Sequence, residues 1–143
     1  MRGFTEGKRI TEMILGIDFG LKRIGLAVSD NGILARPLMT IEYKGTSKTL
    51  DRLHNIFGSM HETPQYIVIG SGFEQAKSFG EAVENYFKVP VFFQDENHSS
   101  LEAEEYIRQT LNQHNPKKVK ELLDAVAATV ILQSYIEARK GGK

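Results

Sequence analysis

The sequence contains no cysteine. That excludes a disulfide framework, thiolate catalysis, and any zinc or iron–sulfur site held by sulfur. It has no excess of charge either: 18 basic side chains face 18 acidic ones, with four histidines. A histone-like or coat-like polycation is therefore excluded, although a local basic strip is not. No apolar run is long enough to span a bilayer, and the polar start lacks the core of a signal peptide. A soluble cytoplasmic domain with no membrane partner is the expectation. Neither G-x-G-x-x-G nor a Walker loop occurs, which argues against a dinucleotide or P-loop site. His54, His61 and His114 lack metal-ligand spacing, and His98 reads as a loop residue.

What remains is ordinary globular material. The 143 residues are 41% hydrophobic and 25% charged, which suits one domain with one core. Residues 1–12 carry no sustained period and read as a flexible lead-in. The domain, 13–143, starts at Met13. Met13–Asp18 is a short apolar strand stopped by Phe19-Gly20. Arg23–Asp30 is a second strand, and Asn31-Gly32 signals a hairpin. Ile33–Tyr43 is a third, with Pro37 suiting an edge or a bulge. Ser47–Met60 has helical spacing, Tyr66–Ile69 is a buried strand, Glu74–Phe87 is a helix and Val89–Phe93 a fifth strand. Ser99 with Glu102 forms a capping box for a helix running to about Asn112. Asn115-Pro116 closes that helix, and Val119–Ala138 makes the last one. The order is βββαβαβαα. It predicts an α/β fold with a five-stranded mixed sheet, antiparallel through its first three strands and parallel afterwards, flanked by helices.

Three acidic positions stand where acids are costly. Asp18 ends the first strand after Ile14-Leu15-Gly16-Ile17. Asp95-Glu96 closes the fifth. Asp124 is the one charge in the apolar stretch LLDAVAATVIL, where Ala125, Ala127 and Ala128 suggest close backbone approach. Carboxylates set in apolar surroundings need a partner, and divalent cations reverse their mutual repulsion. Mg²⁺ takes oxygen ligands and keeps room for water and phosphate. Read singly, Asp18 also suits a turn, Asp124 an exposed helix position, and Asp95-Glu96 a cap.

LGIDFGLKRIGLAVSD (Leu15–Asp30) resembles the opening of the YqgF family, also called RuvX. Val91-Phe92-Phe93-Gln94-Asp95-Glu96 is similar to its strand followed by Asp-Glu, and Leu123-Asp124-Ala125-Val126-Ala127-Ala128 with Leu132-Gln133-Ser134-Tyr135 to its closing helix. The resemblance runs through 13–138. It implies an RNase H-like fold related to Holliday-junction resolvases, and a nuclease dependent on Mg²⁺ or Mn²⁺. It favours a role in maturing the 5′ end of pre-16S rRNA, with branched DNA as the other substrate and a pre-ribosomal particle as a partner. Carried over by position, Asp18, Glu96 and Asp124 are the catalytic and metal-site candidates, with Asp95 as the alternate metal ligand. Asp18 would bridge two metals.

Lys22 and Arg23 lie one short turn from Asp18, where Arg23 suits a phosphate or a carboxylate beside the metals. Lys117, Lys118 and Lys120 begin the last helix. Lysines are locally unfavourable at that positive end of the dipole, which suits either phosphate contact there or a solvated surface run. These five are the nucleic-acid-binding candidates. Two loops depart from the family pattern. Gly70-Ser71-Gly72-Phe73-Glu74 replaces a Gly-Leu-Pro loop, and Asn97-His98-Ser99-Ser100 replaces an Arg followed by a Thr pair. They leave open a catalytically weak or inactive nucleic-acid-binding ribosome-assembly factor on the same fold.

Overall fold

The computed structural model describes residues 12–70, 72–94 and 105–142. The lead-in before residue 12, the Ser99–Glu102 capping box, and both Asp95 and Glu96 lie outside them. Five strands form one sheet: β1 (Ile14–Asp18), β2 (Arg23–Ser29), β3 (Ala35–Glu42), β4 (Tyr66–Gly70) and β5 (Val91–Gln94). Their spatial order is β3-β2-β1-β4-β5. The pairs β1–β2 and β2–β3 are antiparallel, whereas β1–β4 and β4–β5 are parallel. The expected mixed sheet is therefore present.

Helices α1 (Thr46–Met60), α2 (Gln75–Phe87) and α3 (Pro116–Gly142) cover its two faces. Alternation along each strand assigns the side chains. Met13, Leu15, Ile17, Ile24, Leu26, Ile67 and Ile69 pack with Leu53, Phe57, Phe79 and Val83 of α1 and α2. Ile14, Ala27 and Val68 meet Ala128, Ile131 and Leu132 of α3 on the other face. A short helical segment at 105–109 brings Ile107 against Val126 and Ala127, on the outer side of α3.

Pro37 lies on edge strand β3, where the missing N–H costs least. The register shifts there from Leu26↔Met39 to Ala27↔Pro37, so Leu38 is the extra residue of a bulge. Both readings of Pro37 hold together. The hairpin loop is longer than Asn31-Gly32 alone predicts, because pairing closes at Ser29↔Ala35. Asn31 Oδ1 accepts from the backbone N–H groups of Ile33 and Leu34 at 2.9 and 3.2 Å. Gln133 of α3 ties the loop down, accepting from Ala35 N–H at 2.8 Å and donating to the Ile33 carbonyl at 3.1 Å.

The last helix starts earlier than its apolar pattern predicts. Asn115-Pro116 opens α3 instead of closing the preceding helix. Asn115 Oδ1 accepts from Lys117 N–H at 2.9 Å, an N-cap bond, with Pro116 at the first helical position. The preceding segment ends at Asn112, in the left-handed region with φ 54°. The 27 residues of α3 extend about 40 Å, whereas the five of β1 extend about 17 Å. The first turns of α3 must therefore overhang the edge where β1, β4 and β5 end.

Candidate nuclease site

One row of residues crosses that edge. Asp18 pairs with Gly25 of β2 on one side and with Gly70 of β4 on the other, and Gly70 pairs with Gln94 of β5. In-register neighbours in a sheet share a face, and this face is the one covered by α3. Glycines set the depth at which α3 lies. A Cβ on Gly25 would stand 1.8 Å from the carbonyl oxygen of Asp124 and 2.2 Å from its carbon. At Gly16 a Cβ would stand 2.7 Å from Leu132 Cβ, and at Gly70 2.6 Å from Ile131 Cδ1. The backbone of Asp124 thus rests on the strand position directly opposite Asp18. Asp18 and Asp124, separated by 106 positions in the chain, both adjoin Gly25 at one corner of the sheet. Ala125 and Ala128, which follow Asp124 on the side facing the sheet, are buried, as close approach requires.

Arg23 completes the corner. It opens β2, and its Nε donates to Asp124 Oδ2 at 2.7 Å. Its side chain is 53% exposed, against 22% for Asp124, so the pair forms the rim of the site instead of a buried bridge. The hydrogen bond, and then the charge, of Asp124 raise the pKa of the guanidinium above its ordinary value. Arginine is a permanent cation at any working pH regardless. Lys22 beside it is exposed.

Lys117, Lys118 and Lys120 are exposed on the overhanging turns of α3. Lys117 and Lys120 precede Asp124 at helical spacing and so share its side of the helix. On the other face of the same edge, Ile69, Phe73, Lys77, Phe93 and Gln94 line a cleft of about 530 Å³.

Of the expected site residues, the fold therefore brings together Asp18, Asp124 and Arg23, with Lys22 and the lysine group at the periphery. Glu96 and Asp95 lie outside the described residues, among which no group of three His, Cys, Asp or Glu side chains is gathered. The two carboxylates that are described offer only hard oxygen donors, which suits Mg²⁺ or Mn²⁺ and not a thiophilic metal. β5 stands two strands from β1, roughly 10 Å at normal spacing. Sequence reasoning missed Gln94, which ends β5 in the Asp18 row, paired with Gly70, and lines the cleft at that edge.

The model of one family, RuvX, described as Holliday junction resolvase, matches residues 12–138. The chain belongs to the RuvX family. Relatives cover it almost end to end. A protein of Protochlamydia amoebophila named "Putative pre-16S rRNA nuclease" is 35% identical over 94% of this chain and 99% of its own length. One of the same name from Lactobacillus acidophilus is 30% identical over 89% and 97%. Among solved structures, T. thermophilus RuvC in complex with a Holliday junction substrate superposes with a TM-score of 0.58 at 21% identity, covering 90% of this chain and 96% of that one. Fowlpox virus resolvase, solved with Holliday junction DNA, gives 0.61 at 14% identity, covering 89% and 98%. At such identities the likeness is one of fold, and the RuvX chain has the RNase H-like fold that its opening block implies.

Proposed function

We propose that this RuvX family member is a divalent-metal-dependent endonuclease that hydrolyses phosphodiesters in nucleic acid, with the 5′ region of pre-16S rRNA as its substrate. The observation that carries the reading is the corner itself. Asp18 and the backbone of Asp124 both adjoin Gly25 there, and Arg23 bonds the Asp124 carboxylate at the open edge of the sheet. The names of the relatives support rRNA over branched DNA. The structural likenesses support the fold on which either substrate can be cut.

In this mechanism Asp18 and Asp124 would hold the cation, with Glu96 as the third carboxylate and Asp95 as its alternate. When bound there, a divalent cation would supply Lewis-acid polarisation of the phosphodiester and lower the pKa of water. The chain's own side chains do the positioning. Arg23 presents a fork of donors to a non-bridging phosphate oxygen, while Lys22 and Lys117, Lys118 and Lys120 hold the flanking backbone. In the overall step a water oxygen bonds to phosphorus, the P–O ester bond breaks, and the leaving oxygen takes up a proton.

The test pairs the wild type with Asp18→Asn, using end-labelled pre-16S rRNA 5′ leader and a four-way DNA junction in Mg²⁺, Mn²⁺ or EDTA. Metal-dependent cutting that Asp18→Asn abolishes, with binding retained, is the expected result, and the preferred substrate decides RNA against DNA. Cutting that survives the substitution removes the proposed metal site. Binding without cutting in any metal replaces the reading with an assembly factor.

A further inference from the structure

We infer that Arg23 is shared between Asp124 and a phosphate of the substrate, and that a divalent cation reaching Asp124 releases the arginine to that phosphate. The inference rests on the nuclease reading and concerns how the two ligands of that site, metal and nucleic acid, are coupled.

The geometry of the pair points this way. A guanidinium has five N–H donors, and here Nε alone bonds Asp124. Among the described residues the donors on the two terminal nitrogens have no partner, at a side chain 53% exposed. A strong arginine–carboxylate pair is frequently bidentate. This one is single and open on the outer side, where a phosphate would approach. Asp124 itself does not move easily, because its backbone rests against Gly25. The arginine side chain is the mobile partner. A dication bound to the Asp124 carboxylate repels the guanidinium and neutralises the charge that holds it. A phosphate beside that cation offers the arginine a new anion within the reach of one side chain. Protonation of Arg23 plays no part, since it stays charged throughout.

Metal and nucleic acid should then bind cooperatively, with the coupling passing through one side chain. A double-mutant cycle in EDTA tests the sharing directly, with anisotropy of labelled pre-16S rRNA leader as the readout and thermal melts as the folding control. Freeing Arg23 by Asp124→Asn should tighten RNA binding by about threefold or more, in the range of ordinary coupling between neighbours. It should also steepen the dependence of log K on log salt by about 0.7 to 0.9, one further phosphate neutralised. Both effects should disappear in the Arg23→Gln background. In calorimetry without RNA, Arg23→Gln should bind Mn²⁺ several-fold more tightly than wild type. A gain from Asp124→Asn that persists in the Arg23→Gln background reflects general charge alone and overturns the sharing. Weaker or unchanged Mn²⁺ binding by Arg23→Gln makes the arginine a fixed brace for Asp124 and overturns the release. If neither protein binds Mn²⁺, the metal reading and the release fail together, and the EDTA cycle judges the shared arginine by itself.

Discussion

Among the described glycines whose surroundings are resolved, Gly25 is the one whose replacement by alanine should damage this protein most. The added Cβ would lie 1.8 Å from Asp124 O, 2.2 Å from Asp124 C and 2.9 Å from Ala125 N, all backbone atoms. Ordinary contact begins near 3.4 Å, so strand and helix must part by about 1.6 Å. Neither yields readily: β2 is fixed between β1 and β3, and α3 is seated by Leu132 on Gly16 and Ile131 on Gly70. Overpacking a core costs about 1–3 kcal/mol when side chains can shift. With backbone on both sides, about 3 kcal/mol or more is expected, a large part of the roughly 5–15 kcal/mol that holds a domain folded. At a few degrees per kcal/mol for a chain of this size, the melting temperature should fall by about 10 °C. The same displacement carries Asp124 away from Asp18, and a misplacement of about 1 Å can cost about 100-fold in rate. Urea and thermal unfolding followed by circular dichroism, with cleavage assayed well below the lowered midpoint, measure both effects. Gly58→Ala is the control: it sits in α1 with nothing within 4 Å of its added Cβ, and should stabilise by up to about 1 kcal/mol. A Gly25→Ala protein within 1 kcal/mol of wild type and fully active would refute the claim that this contact sets the site.

Asn115→Ala should cost about 1 kcal/mol by removing the side-chain bond to Lys117 N–H, and an unchanged urea midpoint would show that the cap is idle. Arg36 bonds Asp30 through both Nε and Nη2, at 2.9 and 3.2 Å, and this holds the Asp30 carboxyl below its ordinary range. Any stability from the pair is therefore present above the ordinary carboxylate pKa and lost as pH falls through the lower folded value. With both side chains more than half exposed, Arg36→Ala should cost less than about 1 kcal/mol at neutral pH. Urea titrations repeated down to about pH 2 should show the difference shrinking to nothing, and a constant difference would mean that Arg36 acts through packing.

Much of this architecture could be read because burial on two faces leaves few ways to write a strand. Ile14-Leu15-Gly16-Ile17 and Tyr66-Ile67-Val68-Ile69 are apolar on both sides because helices cover both sides. The start of α3 escaped that logic. Pro116, Lys117 and Lys118 precede its first apolar position, Val119, so only the Asn115 cap and the proline mark them. Asp18 and Asp124 were legible as acids in apolar surroundings. Their proximity was not, since it depends on a contact between β2 and α3. The ion pair of Arg23 with Asp124 spans 101 positions, and no spacing rule reaches that far.

Gly25 shows why. In a strand, glycine reads as a weakness, because it has no side chain to pack and loses the most entropy on folding. That cost is tolerable here only if something needs the empty space, and the Asp124 carbonyl occupies it. The same holds for Gly16 beneath Leu132 and Gly70 beneath Ile131. The two glycines beside Asp18 in its row therefore do not leave an open pocket around it. At Gly25 α3 sinks until backbone meets backbone, and at Gly70 the Ile131 side chain fills the space, so the backbone of Asp124 is seated beside the strand position that pairs with Asp18. Arg23, one alternation further along β2 from Gly25, is set by the same contact, yet only by its backbone. Its side chain reaches the Asp124 carboxylate through one nitrogen from an exposed rim. An acid whose backbone is seated on a strand glycine, joined to an exposed arginine at a single nitrogen, is what distinguishes this corner from an ordinary salt bridge at a sheet edge.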